Sequence, residues 1–454
     1  MAEEELEKII EEDKEKQQEN VEEQQKDIKK NIMINGSKYE NRRKWLDGCT
    51  VLFCVFMVHF VIAAMTGKWP WQSNPYNSYA LQSVSWLEGR LDLGQNYEWL
   101  ELAIFQGKYF VSFPPFPSYI LLPFAAFMGV NTPDGWIALI CTLIGALYAL
   151  KICRHFIGVN KRAIFWSLFL YVGTNIIYIT NDGWVWFIAQ NMSLMFSIMS
   201  IYYACKKKGG WSLAFWACAV GCRPMQILYL PILLYLLYKG LKEENSKDSL
   251  WDMIKKKWFW AIPTGLIACS YMILNYARFG QITEFGHNYL PEFTREEAGQ
   301  LGQFNIGYIA ENIKTLFRLP EINDQQIVTF FQSNGNAIWI VSPIFLSFAM
   351  YFIWTFIKKK KIDVFLYWCI PLLAVVHLVL LTAHRTMGGY HFGNRYPSDT
   401  LPFLFLGLCL MMQGKRKHNT ISGEEVIDRF SYVLFFMGIL FNIIGTVAYN
   451  NQWL

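Results

Sequence analysis

Four carboxylates, Glu88, Asp92, Glu98 and Glu101, fall in one polar run from Gly67 to Pro117. A carboxylate held beside a bound substrate can take the proton from an attacking hydroxyl. Most loop carboxylates are simply solvated, so the set matters more than any one member. Lys108 and Tyr109 lie in the same run, just before Phe113-Pro-Pro-Phe-Pro117, where successive prolines fix φ and stiffen the chain. Arg223, followed by Pro224, interrupts an apolar stretch, and an intramembrane guanidinium marks a site or snorkels to an interface. Late in the chain, His384-Arg385-Thr-Met-Gly-Gly-Tyr390-His391-Phe-Gly393-Asn-Arg395-Tyr396-Pro-Ser-Asp399 combines close-approach glycines with donors that match phosphate oxygens. A metal bound by His384 and His391 is the weaker reading, because no carboxylate or cysteine follows at a ligand spacing. Asp182 adds an acid at the end of an apolar segment. Glu284, His287, Tyr289, Glu292 and Arg318 lie among aromatics that suit sugar rings, or that simply form an interfacial belt.

These groups must be carried by a membrane protein. The 454 residues are 53% hydrophobic and only 17% charged, and the charges are segregated. Residues 1–44 hold 13 acidic and 10 basic side chains and read as a cytoplasmic tail, disordered or loosely helical, ahead of a transmembrane domain over 45–454. Arg42, Arg43 and Lys44 abut the first apolar run, which places the N-terminus inside and the 67–117 loop outside. Basic clusters at Lys151 to Arg162, Lys206 to Lys208, Lys239 to Lys257, Lys358 to Lys361 and Lys415 to Lys417 mark further cytoplasmic loops. Loops 276–336 and 383–399 then fall outside. The expected fold is all-α, a polytopic bundle of about 11–13 transmembrane helices. Surface helices are expected in the first external loop, one from Asn74 to Arg90 and a second over Tyr97 to Phe105. Segments 116–130 and 135–150 leave a parity conflict: they lie between an outside loop and an inside cluster, where an odd number of crossings is required. The ten cysteines sit in or beside apolar runs and read as core side chains.

Three stretches resemble the multi-spanning GT-C glycosyltransferases, in the branch of bacterial dolichyl-phosphate-mannose-type and aminoarabinose-transferring enzymes. They are Gln72-Ser-Asn74-Pro-Tyr-Asn77-Ser-Tyr79 to Arg90 with Gly107 to Pro115, the Arg223-Pro224 pair, and Gly388-Gly-Tyr-His-Phe-Gly393-Asn-Arg395-Tyr396 through Phe403. The resemblance covers most of 46–413. One departure stands out: where the family carries an acidic residue early in the first external loop, this chain has Asn74 and Asn77.

The resemblance implies transfer of a sugar from a polyprenyl-phosphate donor to a glycan, lipid or protein acceptor at the outer face of the cytoplasmic membrane, with inversion. Glu101, then Asp92 or Asp182, are the candidate bases. Arg395, Arg223, Arg385 and Lys108 are the candidate phosphate ligands, and Tyr109, His391, Tyr396, Asn74, Asn77, Glu284 and His287 complete the substrate-binding set. No cofactor or metal is called for, since fixed cations can do the same electrostatic work. The partners are membrane lipids and the lipid-linked donor, and the positive charge needs no nucleic acid to explain it. A transporter or flippase of lipid-linked sugars, or a catalytically degenerate scaffold, are the alternatives.

Overall fold

The computed structural model describes residues 38–244, 246–294, 301–322, 328–330, 333–413 and 423–452. Most of the N-terminal tail and the Lys415 to Lys417 cluster lie outside the described residues. Residues 38–44, read from sequence as the end of that tail, are already helical.

The chain begins with helix α1 (Lys38–Thr66). Its first loop holds a short helix α2 (Ser78–Leu87), a hairpin of β1 (Leu102–Phe105) and β2 (Lys108–Val111), and helix α3 (Phe116–Met128). There follow α4 (Asp134–Ile157), α5 (Lys161–Val172), α6 (Ile176–Asn181), α7 (Val185–Cys205) and α8 (Gly209–Val220). Then come α9 (Pro224–Glu244) and α10 (Leu250–Phe279). The chain closes with α11 (Ile344–Ile357), α12 (Val364–Thr382), α13 (Leu401–Met411) and α14 (Gly423–Asn450). Seven of the helices are long and apolar enough to cross a membrane among the described residues: α1, α4, α7, α9, α10, α12 and α14. The expected number of crossings is reached only by adding shorter apolar helices such as α5, α8, α11 and α13. Helix starts are set locally: Asn160 accepts from Ala163 N at 3.0 Å to cap α5, and Asp363 accepts from Leu366 N at 3.0 Å to cap α12.

α7 is the central helix, buried on nearly all sides, whereas α10 is peripheral and mostly exposed. An all-round apolar helix belongs in a core or in lipid, and these two illustrate both cases.

The basic clusters gather at one end of the bundle. Arg162 pairs with Asp428 at 2.8 Å, Lys360 with Glu424 at 2.9 Å, and Lys239 with Asp363 at 2.8 Å. Lys207 reaches Glu243 and Glu244 at 3.4 and 3.5 Å. The other end carries the polar loops, tied by Val185 N to Tyr76 O at 3.0 Å, Phe116 N to Gly221 O at 3.1 Å and Asn305 N to Ala383 O at 2.9 Å.

α3 resolves the parity conflict. It starts beside Gly221 and ends where Asn77 Nδ2 donates to Val130 O at 2.9 Å, both at the loop end of the bundle. α2 packs against it through Ser83 Oγ donating to Ser118 O at 3.0 Å and Ser118 Oγ donating to Gln82 Oε1 at 2.8 Å. α3 therefore turns back, and only α4 crosses between the first loop and the Lys151 cluster.

The expected second surface helix is corrected. Residues 102–111 form a hairpin in which Ala103 faces Phe110 and Ile104 faces Tyr109. Gln106 and Gly107 both take positive φ, 50° and 74°, the requirement of a two-residue hairpin turn, and a helix cannot pass through it.

Candidate active site

Glu101 stands at the foot of this hairpin. Ser112 Oγ, on the opposite strand end, donates to Glu101 O at 3.0 Å and fixes the backbone there. From the first turn of α7, Trp186 Nε1 donates to Glu101 Oε2 at 3.0 Å. The residue keeps open surface although protein surrounds its carboxyl, so it is not packed into a core. Burial pushes its pKa above the ordinary glutamate value. The Trp186 hydrogen bond opposes that rise, the nearby Glu292 adds to it, and the charge of Arg395 opposes it.

Arg395 thus lies within electrostatic reach of Glu101. Its Nη1 donates to Gln190 Oε1 at 3.1 Å and its Nη2 to Gly388 O at 3.0 Å, while the buried Nε has no protein partner. Gly388 has φ +112°, and a Cβ there would lie 3.1 Å from Arg395 Nε and 2.9 Å from His391 Nε2. The Arg395 guanidinium lies 4.7 Å from the Tyr396 ring centre, and that of Arg223 lies 4.9 Å from it. Arg223 is held by Asp399 Oδ2, which accepts from Nε at 2.8 Å and from Nη2 at 2.7 Å. Gln190 Nε2 donates to Asp399 Oδ1 at 3.0 Å and joins the two arginines through one carboxylate and one amide.

A second acid lies at the mouth of α7. Asp182 is buried; Asn181 Nδ2 donates to it at 3.3 Å, and Lys68 Nζ forms a long ion pair with it at 4.0 Å. Burial raises its pKa, and Lys68 and Asn181 pull the other way. Lys68 Nζ also donates to Asn450 Oδ1 at 2.7 Å, which ties the first loop to the end of α14. Asn74 Nδ2 donates to Asp134 Oδ2 at 3.2 Å, so the loop's early amide is paired with a carboxylate from the start of α4.

The remaining sequence candidates divide. Arg385 is bridged to Glu292 at 2.9 Å, close enough to Glu101 for Glu292 to affect it. His287 packs among Phe113, Phe285, Phe293 and His384, and burial lowers its pKa to about 4. His391 is fully buried against Met387 O at 3.3 Å, and burial lowers its pKa to about 3. Glu284 braces a turn, accepting from Gly286 N at 2.5 Å and Asn288 Nδ2 at 2.6 Å. Asn77 is spent on the Val130 carbonyl, and Asp92 accepts from its own turn at Gly94 N at 3.0 Å. Lys108 is exposed where β2 leaves the hairpin turn, a strand's length from Glu101. Tyr109 packs half-buried beside it.

Sequence reasoning did not single out Asp399, Gln190, Trp186 or Lys68 as site residues. Gln190 carried a signal, an amide in the middle of an apolar helix. Lys68 and Asp399 carried none, because their partners lie far along the chain.

No family model and no curated protein matches the chain by sequence. Among solved structures, it is similar to the apo oligosaccharyltransferase of Archaeoglobus fulgidus, with TM-score 0.50 and 9% identity over 89% of this chain and 56% of that one. It is also similar to ArnT from Cupriavidus metallidurans bound to undecaprenyl phosphate, with TM-score 0.49 and 13% identity over 90% of this chain and 77% of that one. The chain spans little more than half the length of the oligosaccharyltransferase. At such identities the likeness is one of architecture alone: this is a multi-pass membrane protein that shares the helical fold of the oligosaccharyltransferase.

Proposed function

We propose that the protein transfers a sugar from a polyprenyl-phosphate donor to an acceptor hydroxyl, with inversion at the anomeric carbon. Glu101 is the base. It takes the hydroxyl proton as the new oxygen–carbon bond forms and the bond from the anomeric carbon to the phosphate oxygen breaks, its electron pair leaving with the lipid phosphate. A carboxylate with a raised pKa is better matched to proton transfer near neutral pH than an ordinary one. Arg395, with its bare Nε, and Arg223 face the charge that grows on the leaving phosphate. Asp182 is the second acid of the site, and the reading needs no metal.

The observation that carries this reading is that Glu101, from the first loop, lies within electrostatic reach of Arg395, from a loop nearly three hundred residues later. With the lysine-rich end of the bundle toward the cytoplasm, these two residues face out of the cell, at the level of the outer leaflet.

The test is to incubate purified protein with radiolabelled polyprenyl-phosphate sugars and candidate acceptors. Label moving to acceptor or water supports a transferase. Intact donor appearing only across the bilayer of a reconstituted vesicle supports a flippase.

A further inference from the structure

Six side chains from separate stretches close into a circuit beside Glu101. Tyr79 and Phe113 have ring centres 6.4 Å apart, Phe113 and His287 6.4 Å, His287 and His384 5.9 Å, and His384 and Tyr396 6.3 Å. The Arg223 guanidinium sits 4.9 Å from the Tyr396 ring centre and within electrostatic reach of the Tyr79 hydroxyl, which returns the circuit to its start. Phe113, His287, His384, Tyr396 and Arg223 all keep some accessible surface. Tyr79 is 1% exposed, and its hydroxyl has no hydrogen-bond partner in the protein. A buried, unpaired phenol beside a guanidinium points to a ligand atom that completes it.

We propose that this ring of Tyr79, Phe113, His287, His384, Tyr396 and Arg223 is the subsite for the donor's sugar ring, and that it selects an uncharged sugar. The proposal rests on the transferase reading and names its substrate class. Aromatic faces suit the C–H face of a pyranose, while the phenol and the imidazoles offer donors and acceptors for its hydroxyls. Arg223 is the one charged member, and Asp399 already balances it. Burial lowers the pKa of both histidines, that of His287 to about 4, and so favours the neutral imidazole. In the transferase reading Arg395 is taken by the phosphate and Glu101 by the acceptor hydroxyl, and Glu292 holds Arg385, so a carboxylate or ammonium on the sugar would be desolvated without a partner of its own, which is costly. The position fits the chemistry, since Arg395 lies on the same Tyr396 ring and Ser112 links Phe113 to the Glu101 backbone.

The experiment measures binding in nanodiscs of bare polyprenyl phosphate, the same lipid carrying a neutral hexose, and the same lipid carrying a uronic or amino sugar. Wild-type protein should bind the neutral glycolipid at least about tenfold more tightly than the bare phosphate, and the charged ones no better than the bare phosphate. Tyr79→Phe, which removes one oxygen, and His384→Gln should each shrink the tenfold preference to about threefold or less, taken as the ratio to the same variant's own bare-phosphate affinity. Equal affinity for the neutral glycolipid and bare phosphate, preference for a charged sugar, or variants that keep the full preference would each overturn the subsite. Failure of wild-type protein to bind any of these lipids would instead remove the transferase reading itself, and the subsite with it.

Discussion

Two nitrogens of Arg223, Nε and Nη2, converge on the single oxygen Oδ2 of Asp399 at 2.8 and 2.7 Å, across 176 residues of chain. Removing one partner of such a pair leaves a buried charge uncompensated, at a cost of about 3–5 kcal/mol, whereas replacing both with apolar groups costs far less. Asp399→Ala should therefore lower the thermal midpoint in detergent more than the double change Arg223→Met with Asp399→Leu. A double variant less stable than Asp399→Ala would show that the pair itself, not the stranded charge, dominates.

Glu101→Gln keeps the shape and the neutral charge of the protonated acid but cannot accept a proton. Transfer should fall at least about a thousandfold, while folding and lipid-phosphate binding stay near wild type. Wild-type turnover in this variant would remove Glu101 from the mechanism.

The pH profile gives an independent handle on the same group. A base works when ionised, so kcat/KM should rise with pH through the Glu101 pKa, above the ordinary glutamate value of about 4.3. Trp186→Phe removes a hydrogen bond that favours the carboxylate, so the acid limb should move to higher pH. A limb that stays in place, or moves to lower pH, would contradict the assignment.

Arg395 offers a bare Nε while two other nitrogens are occupied by Gln190 and Gly388. Lysine cannot hold those anchors and still present a donor at the Nε position. Both Arg395→Lys and Arg395→Gln should weaken binding of polyprenyl phosphate by about tenfold or more, measured with the bare lipid. Retained affinity in the lysine variant would mean that point charge alone suffices.

Gly183 sits where α4 and α7 begin side by side. A Cβ at this position would lie 2.4 Å from Asp134 C and Gly135 N, both backbone atoms that cannot swing aside. Gly183→Ala should cost about 1–3 kcal/mol by overpacking and should displace the neighbouring Asp182. Unchanged stability and activity would show that the two helix starts can separate freely.

Much of this architecture was legible in the sequence because hydrophobic length and lysine placement are local signals. The polar first loop, the helix over Ser78–Leu87 and the lysine-rich end of the bundle all follow from them. The hairpin was missed although Gln106-Gly107, between apolar stretches, carried a turn signal; a surface helix over Tyr97 to Phe105 was expected instead. Whether α3 crosses was undecidable from composition, because an apolar stretch that turns back has the same residues as one that spans. The pairings of Arg223 with Asp399 and of Lys68 with Asn450 were out of reach for another reason: each joins segments that only the assembled bundle brings together.

Because Lys68 fastens Asn450 beside the start of the first loop, the last turn of α14 lies at the end of the bundle where the chemistry is placed. A membrane-impermeant thiol reporter on Asn451→Cys would share its compartment with the bound donor. Shielding of that reporter in sealed right-side-out vesicles would turn the assigned topology over.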